Sequence, residues 1–194
     1  MVYSINEIFY SIQGEGHNTG MPAIFIRFAG CNLKCPWCDT DHTKKMELNE
    51  EEILDLIQTW PCHNVILTGG EPSEQDLTPL LVLLKRKFKY YVAIETNGTN
   101  PLLQYKQKGF LDWVTVSPKQ FPLKVKCWIN EIKVIWPSTT VIIKQSESTH
   151  ADYYYLQPCD DAHKKINTEE AIEIVKNNPQ WRLSIQVQKI IGVR

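Results

Sequence analysis

Apolar residues in this chain come in short runs, and between the runs they recur at the three-to-four spacing of helices. Val2–Phe9 and Ala23–Ala29 read as strands. Glu50–Thr59 has an amphipathic pattern, and Asn49 stands where an N-cap accepts from first-turn amides. Asn64–Leu67 predicts a buried strand and Asp76–Phe88 a helix. Tyr91–Glu95 and Trp113–Val116 predict strands, with a helix near Leu102–Lys108 between them. Glu131–Ile135, Tyr154–Leu156 and Arg182–Ile185 are further strands, and Thr168–Asn178 is a helix. Strands alternating with helices predict an α/β fold with a mostly parallel sheet.

Polar residues collect where the predicted strands end. Thr68 follows Val65-Ile66-Leu67, and Glu95-Thr96-Asn97 follows Val92-Ala93-Ile94. Ser117-Pro118-Lys119, Gln157 and Gln186 close three more runs in the same way. In parallel barrels the ligand sits at the carboxyl ends of the strands, so these positions are candidate site residues. With 194 residues the chain is too short for eight strand–helix units, which leads to an open partial (β/α) barrel of about six strands.

The strongest chemical signal is the loop Cys31-Asn-Leu-Lys-Cys35-Pro-Trp-Cys38. Three thiolates this close converge on one metal centre. A [4Fe–4S] cubane normally takes four thiolates, so three leave one iron open for a ligand. Structural zinc is the alternative, since it takes four nitrogen or sulfur ligands and His42 follows closely enough to supply the fourth. A disulfide framework is disfavoured by only six cysteines in this length and no signal peptide at the start. Cys62, Cys127 and Cys159 read as small buried apolar side chains.

Two neighbouring segments favour iron. Arg27-Phe-Ala-Gly-Cys31 leads into the loop, and Thr68-Gly-Gly-Glu-Pro72 follows an apolar run. Together with the cysteines they resemble the radical S-adenosylmethionine (SAM) superfamily. That resemblance implies a [4Fe–4S] cluster whose open iron is chelated by SAM, and a partial barrel of radical SAM type. The Gly69-Gly70-Glu71 segment is then expected at the SAM ammonium.

The rest of the chain narrows the resemblance. Phe9-Tyr-Ser-Ile-Gln-Gly-Glu-Gly16, Phe25-Ile-Arg-Phe28, Cys38-Asp-Thr40, Glu95-Thr-Asn-Gly98, Ser117-Pro-Lys119, Leu156-Gln-Pro158 with Asp160, and Leu183-Ser-Ile-Gln186 to Lys189 and Gly192 form an ordered set. The set closely resembles the 7-carboxy-7-deazaguanine synthase family along essentially the whole chain. The resemblance implies conversion of 6-carboxy-5,6,7,8-tetrahydropterin to 7-carboxy-7-deazaguanine with loss of ammonia, on the way to queuosine and other 7-deazapurines. It also implies Mg²⁺, a homodimer, and an external electron donor such as flavodoxin or ferredoxin.

Residue roles follow from the same resemblance. Gln13 and the backbone of Ile12 and Gly14 are expected at the pterin edge, with Thr68 also at the substrate. Arg27 is expected on the substrate carboxylate, because a charge between Ile26 and Phe28 needs a specific partner; an ion pair within the protein is the alternative. Glu15 either orients substrate or serves turn chemistry. The Arg194 carboxylate is expected near the pterin. Thr40 is the implied magnesium ligand, although on residue type alone Asp39 and Asp41 suit magnesium better. Trp37 either covers the cluster near the SAM adenine or fills core. Asp39, Gly70, Glu71, Ser117, Pro118, Lys119, Gln157 and Asp160 are expected around SAM. One departure stands out: Gln188 occupies the place where many relatives carry histidine. The stretch before Asn64 is also short, which implies reduced accessory helices.

Bulk properties change this picture little. With 43% apolar residues one domain over 1–194 is expected to build a sizeable core, and a net charge of −1 implies no general nucleic-acid surface. Lys85-Arg-Lys-Phe-Lys89 reads as a solvated helix end. No run is long and apolar enough to span a bilayer, so a soluble cytoplasmic protein is expected. The nearest enzyme alternative is a glycyl-radical activating enzyme, which also uses three such cysteines. A non-catalytic zinc or iron–sulfur module is the alternative from another class.

Overall fold

A computed structural model describes residues 1–138 and 140–194. Among the described residues nine strands form one sheet: β1 Val2–Ile12, β2 Pro22–Phe28, β3 Met46–Asn49, β4 Asn64–Gly69, β5 Tyr91–Thr96, β6 Trp113–Val116, β7 Ile129–Trp136, β8 Ala151–Pro158 and β9 Trp181–Leu183. Their order is β3-β1-β2-β4-β5-β6-β7-β8-β9. From β2 through β9 every pairing is parallel, and β1 and β3 add an antiparallel edge. The expected open parallel barrel is present, with seven strands in the parallel run and two more beside it.

The helices are α1 Glu50–Ile57, α2 Thr78–Val82, α3 Leu103–Gln107, α4 Thr140–Glu147, α5 Lys164–Asn177 and α6 Val187–Ile191. Asn49 caps α1 as expected: its side chain accepts from Glu51 N and Glu52 N, and Glu52 reaches back to Asn49 N at 2.7 Å. The single helix expected over 76–88 is instead α2 followed by a π-helical turn, Leu83–Lys87. The short β3, α4 and α6 lacked a sequence signal. The last strand ends at Leu183, two residues before the expected Ile185. Among the described residues no helix is long and apolar enough to cross a membrane.

Strand periodicity sorts side chains onto two faces. The outer face is apolar: Ile24, Ile26, Val65, Leu67, Val92, Ile94, Val114, Val116, Ile132 and Val134 pack with Ile53, Ile57, Leu80, Leu81 and Leu84 in one buried core. The inner face is different. One level is a small apolar cluster of Phe9, Ala23, Phe25, Ile66 and Ala93. The neighbouring inward positions, Thr68, Thr115, Glu131, Lys133 and Gln157, are polar yet buried. The loop between β1 and β2 folds back over this interior, and the His17 ring stacks on Trp113 at 5.0 Å and on Tyr153 at 4.1 Å. The outer face thus carries most of the apolar burial, while the inner face holds groups that need partners.

Candidate active site

A cleft of about 610 Å³ opens at the carboxyl ends of the parallel strands. Cys31, Cys35 and Cys38 border it as free thiols, presented by the loop that leaves β2. A turn bond from Cys38 N to Cys35 O (3.1 Å) and a contact from Leu33 N to Cys31 Sγ (3.4 Å) shape this loop. Burial pushes the Cys31 and Cys35 thiols up, so they favour the protonated form until a cationic centre draws off the proton. His42 does not border the cleft. Among the described residues no three His, Cys, Asp or Glu side chains are grouped to share one metal ion. A cubane bound at three separate irons needs no such grouping, so the donor set fits that cluster.

The root of the cysteine loop is clamped by the segment after β4. Gly70 N donates to Phe28 O (3.1 Å) and Glu71 N to Gly30 O (2.9 Å). A Cβ on Gly70 would stand 1.7 Å from Gly30 O, so only glycine permits this approach. Glu71 departs from expectation. Its side chain is fully buried, and it accepts from Thr96 Oγ1 (2.8 Å), Asn97 N (2.7 Å), Ser73 N (3.1 Å) and Ser73 Oγ. Four donors fill the acceptor sites of a carboxylate, and Glu71 does not border the cleft. Its carboxylate therefore ties β4 to β5 and is not presented to a cofactor ammonium. Pro118 is also buried and off the cleft surface.

The other expected residues converge. Ile12, Gln13, Gly14, Glu15, Arg27, Thr68, Gly70, Trp37, Asp39, Thr40, Ser117, Lys119, Gln157, Asp160 and Arg194 all border the same cleft. Trp37 is 45% exposed there, which sets aside the core-filling alternative. Lys119 Nζ donates to Ser117 Oγ (2.7 Å), and burial pushes its ammonium down, opposed by the nearby Cys35 and Cys38. Gln157 Oε1 accepts from Ser184 Oγ (2.8 Å). Thr40 Oγ1 lies 3.5 Å from Asp39 Oδ1. Asp41 is occupied by Thr43 and Lys45. Arg27 Nε is paired with Glu7 Oε1 at 2.8 Å, so the ion-pair alternative is realised alongside its place on the cleft wall.

Glu95 and Gln186, expected at strand ends without a stated role, join the site, and Lys133 escaped the sequence reading. Glu95 borders the cleft and accepts from Gln13 Nε2 and Thr68 Oγ1, each at 2.9 Å. Lys133 is buried in the middle of β7 and ion-pairs with Glu15. Gln186 Nε2 (2.9 Å) and Gln188 Nε2 (3.1 Å) both donate to Glu15 Oε1. Burial alone would raise the Glu15 carboxyl, but Lys133 outweighs it and holds the group down to about 2. Lys189 bridges Asp39 (2.9 Å) and Asp160 (2.6 Å), linking the cysteine loop to the end of β8. Cys159, expected to be core, also borders the cleft.

Glu131 lies below this layer. It accepts from His17 N (2.9 Å), and burial pushes it up to about 7; Lys133 pulls it down, while Glu95 and Glu15 push it up further. An acid with a raised folded pKa favours the fold below its unfolded value of 4.5, and that contribution is lost as pH rises through 7. Glu131→Gln, neutral at every pH, is therefore expected to remove about 3 kcal/mol of the stability lost between pH 4.5 and 8. Denaturant melts at pH 5 and pH 8 would check this, and equal losses in both proteins would refute it.

An open parallel barrel whose cleft gathers three free thiols beside a glycine clamp defines a radical SAM protein. The Radical SAM superfamily model matches residues 25–134. The chain is 44% identical to the 7-carboxy-7-deazaguanine synthase of Bacteroides thetaiotaomicron, with both chains covered completely. It is 36% identical to the synthase of the same name from Haemophilus influenzae, over 98% of this chain and 94% of that one. Among solved structures it is similar to QueE from Escherichia coli, with a TM-score of 0.74 and 31% identity, covering 96% of this chain and 95% of the other. The chain belongs to the 7-carboxy-7-deazaguanine synthase family.

Proposed function

We propose that this protein catalyses the radical SAM ring contraction of 6-carboxy-5,6,7,8-tetrahydropterin to 7-carboxy-7-deazaguanine with release of ammonia, in 7-deazapurine and queuosine biosynthesis. The observation that carries this reading is the polarity of the cleft. Beside the three thiols, one part offers the acceptors of Glu95 and Gln13, and another offers the guanidinium of Arg27. A pterin has the matching ends: a guanidine-like edge rich in N–H donors and, across the ring, a carboxylate.

Glu95 has lone pairs left beyond those used by Gln13 and Thr68, and these receive the ring N–H and amino donors. Arg27 spends Nε on Glu7 and keeps its Nη donors for the carboxylate. Ser117, Lys119 and Gln157 form the SAM wall with Trp37 and Gly70, where the Lys119 charge suits the SAM carboxylate. Cys31, Cys35 and Cys38 would hold a [4Fe–4S] cluster, which would supply the reducing electron for radical chemistry with SAM. Thr40, with Asp39 beside it, offers the hard oxygen donors that suit Mg²⁺, an ion content with few protein ligands. The chain's own contribution is orientation and exclusion of water, since the cofactor carries the difficult step.

We take residues 1–194 as one domain working in the cytoplasm as a homodimer, reduced by a small donor such as flavodoxin or ferredoxin. Anaerobic incubation with SAM, reductant and the carboxypterin is the test, read by ultraviolet spectrum and product mass. The expected product is a 7-deazapurine, formed faster with Mg²⁺ than without. SAM cleavage with no 7-deazapurine would overturn the reading.

A further inference from the structure

Arg27 by itself is a poor receptor for an anion. A register shift between Ile5 and Glu7 places Glu7 directly opposite Arg27 across the β1/β2 pair. Glu7 Oε1 then accepts from Arg27 Nε at 2.8 Å, and the pair is formally neutral. A neutral pair attracts a carboxylate weakly, and the Glu7 charge repels it.

A second guanidinium changes that balance. Arg194 Nη2 engages the other oxygen, Glu7 Oε2. Its position is set by the backbone: Ser11 Oγ donates to Arg194 O at 2.6 Å, and Val193 N donates to Gln188 O at 3.0 Å. Both guanidiniums lie over one ring, at 5.8 Å for Arg27 and 5.2 Å for Arg194 from the Phe9 centroid. Phe9 is itself braced by Phe25, stacked at 5.0 Å and 8°. Two guanidiniums now face the Glu7 carboxylate, the Arg194 main-chain oxygen is engaged by Ser11, and each guanidinium still has donors to spare.

We infer that Arg194, through its guanidinium, joins Arg27 in a two-arginine receptor for the substrate carboxylate, with Glu7 as the spacer that sets their separation. The inference rests on the carboxypterin reading above and deepens it. It gives the Arg194 side chain a role of its own, beside the terminal carboxylate expected near the pterin. Glu7, which carried no expected role, becomes a positioning residue.

The test is ligand binding to the anaerobically reconstituted protein with SAM, using 6-carboxypterin and pterin lacking the carboxyl group, read by calorimetry. The wild type should prefer the carboxylated ligand. Arg194→Ala should weaken 6-carboxypterin about threefold to fivefold, because a charge-assisted hydrogen bond from a largely exposed side chain is lost, and leave pterin unchanged. Arg194→Lys should fall between, since it keeps the charge and loses the fork. Unchanged binding of 6-carboxypterin in Arg194→Ala, or equal weakening of both ligands, overturns the receptor while leaving the substrate reading intact. A wild type with no preference overturns both.

Discussion

Cys35→Ala is expected to yield folded protein without a stable [4Fe–4S] cluster and with turnover below detection. The three thiols sit on one loop, whose root is held by the Gly70 and Glu71 amides independently of the metal, so the sheet should survive the change. Two thiolates cannot hold a cubane that already takes one fewer than usual. Iron and sulfide analysis, with the visible absorption of the cluster, would read the effect. The informative control is Cys159→Ala. Cys159 borders the cleft at the end of β8, so it is a fourth thiol near the site. The three-ligand reading expects that variant to keep its iron. Loss of the cluster in Cys159→Ala would mean that the corner meant for SAM is already taken.

Lys133→Met is the second large effect. Lys133 is 5% exposed and is the cation that Glu15, Glu95 and Glu131 all face. Burial disfavours its charge, yet Glu15 and the other carboxylates more than compensate, and the ammonium is held above its usual range. Removing one partner of a buried ion pair costs about 3–5 kcal/mol, because the remaining charge is left uncompensated. The variant should lose roughly that much stability at pH 7 and regain part of it on acidification, as the carboxyls become neutral. A catalytic loss should accompany this, because Glu15 anchors Gln186 and Gln188 on the cleft wall. Urea melts at pH 5 and pH 7 provide the check; a variant as stable as the wild type at pH 7 would show that the carboxylates do not need the lysine.

Much of this was legible because the strongest signals are local. The cysteine spacing is a loop property, and the polar residues that end apolar runs do face the cleft, as Thr68, Ser117 and Gln157 show. What was missed depends on partners distant in sequence. Met46–Asn49 has no run of β-branched residues and becomes a strand because β1 offers its edge, pairing Val2 with Asn49 and Ile5 with Met46. The five residues of α6 are placed by tertiary bonds, from Val187 N to Gly14 O and from Lys189 to two aspartates. Lys133 did carry a usable signal. The argument applied to Arg27, that a charge flanked by apolar residues needs a buried partner, holds equally for Lys133 between Ile132 and Val134. Glu71 shows the converse: a motif locates the segment, but only the fold shows which way its carboxylate turns.

The stacked rings of His17, Trp113 and Tyr153 have a consequence for traffic. They stopper the barrel at the end away from the cysteines, which makes the chamber a cul-de-sac. Ligands therefore enter and leave by the one mouth that the cysteines border.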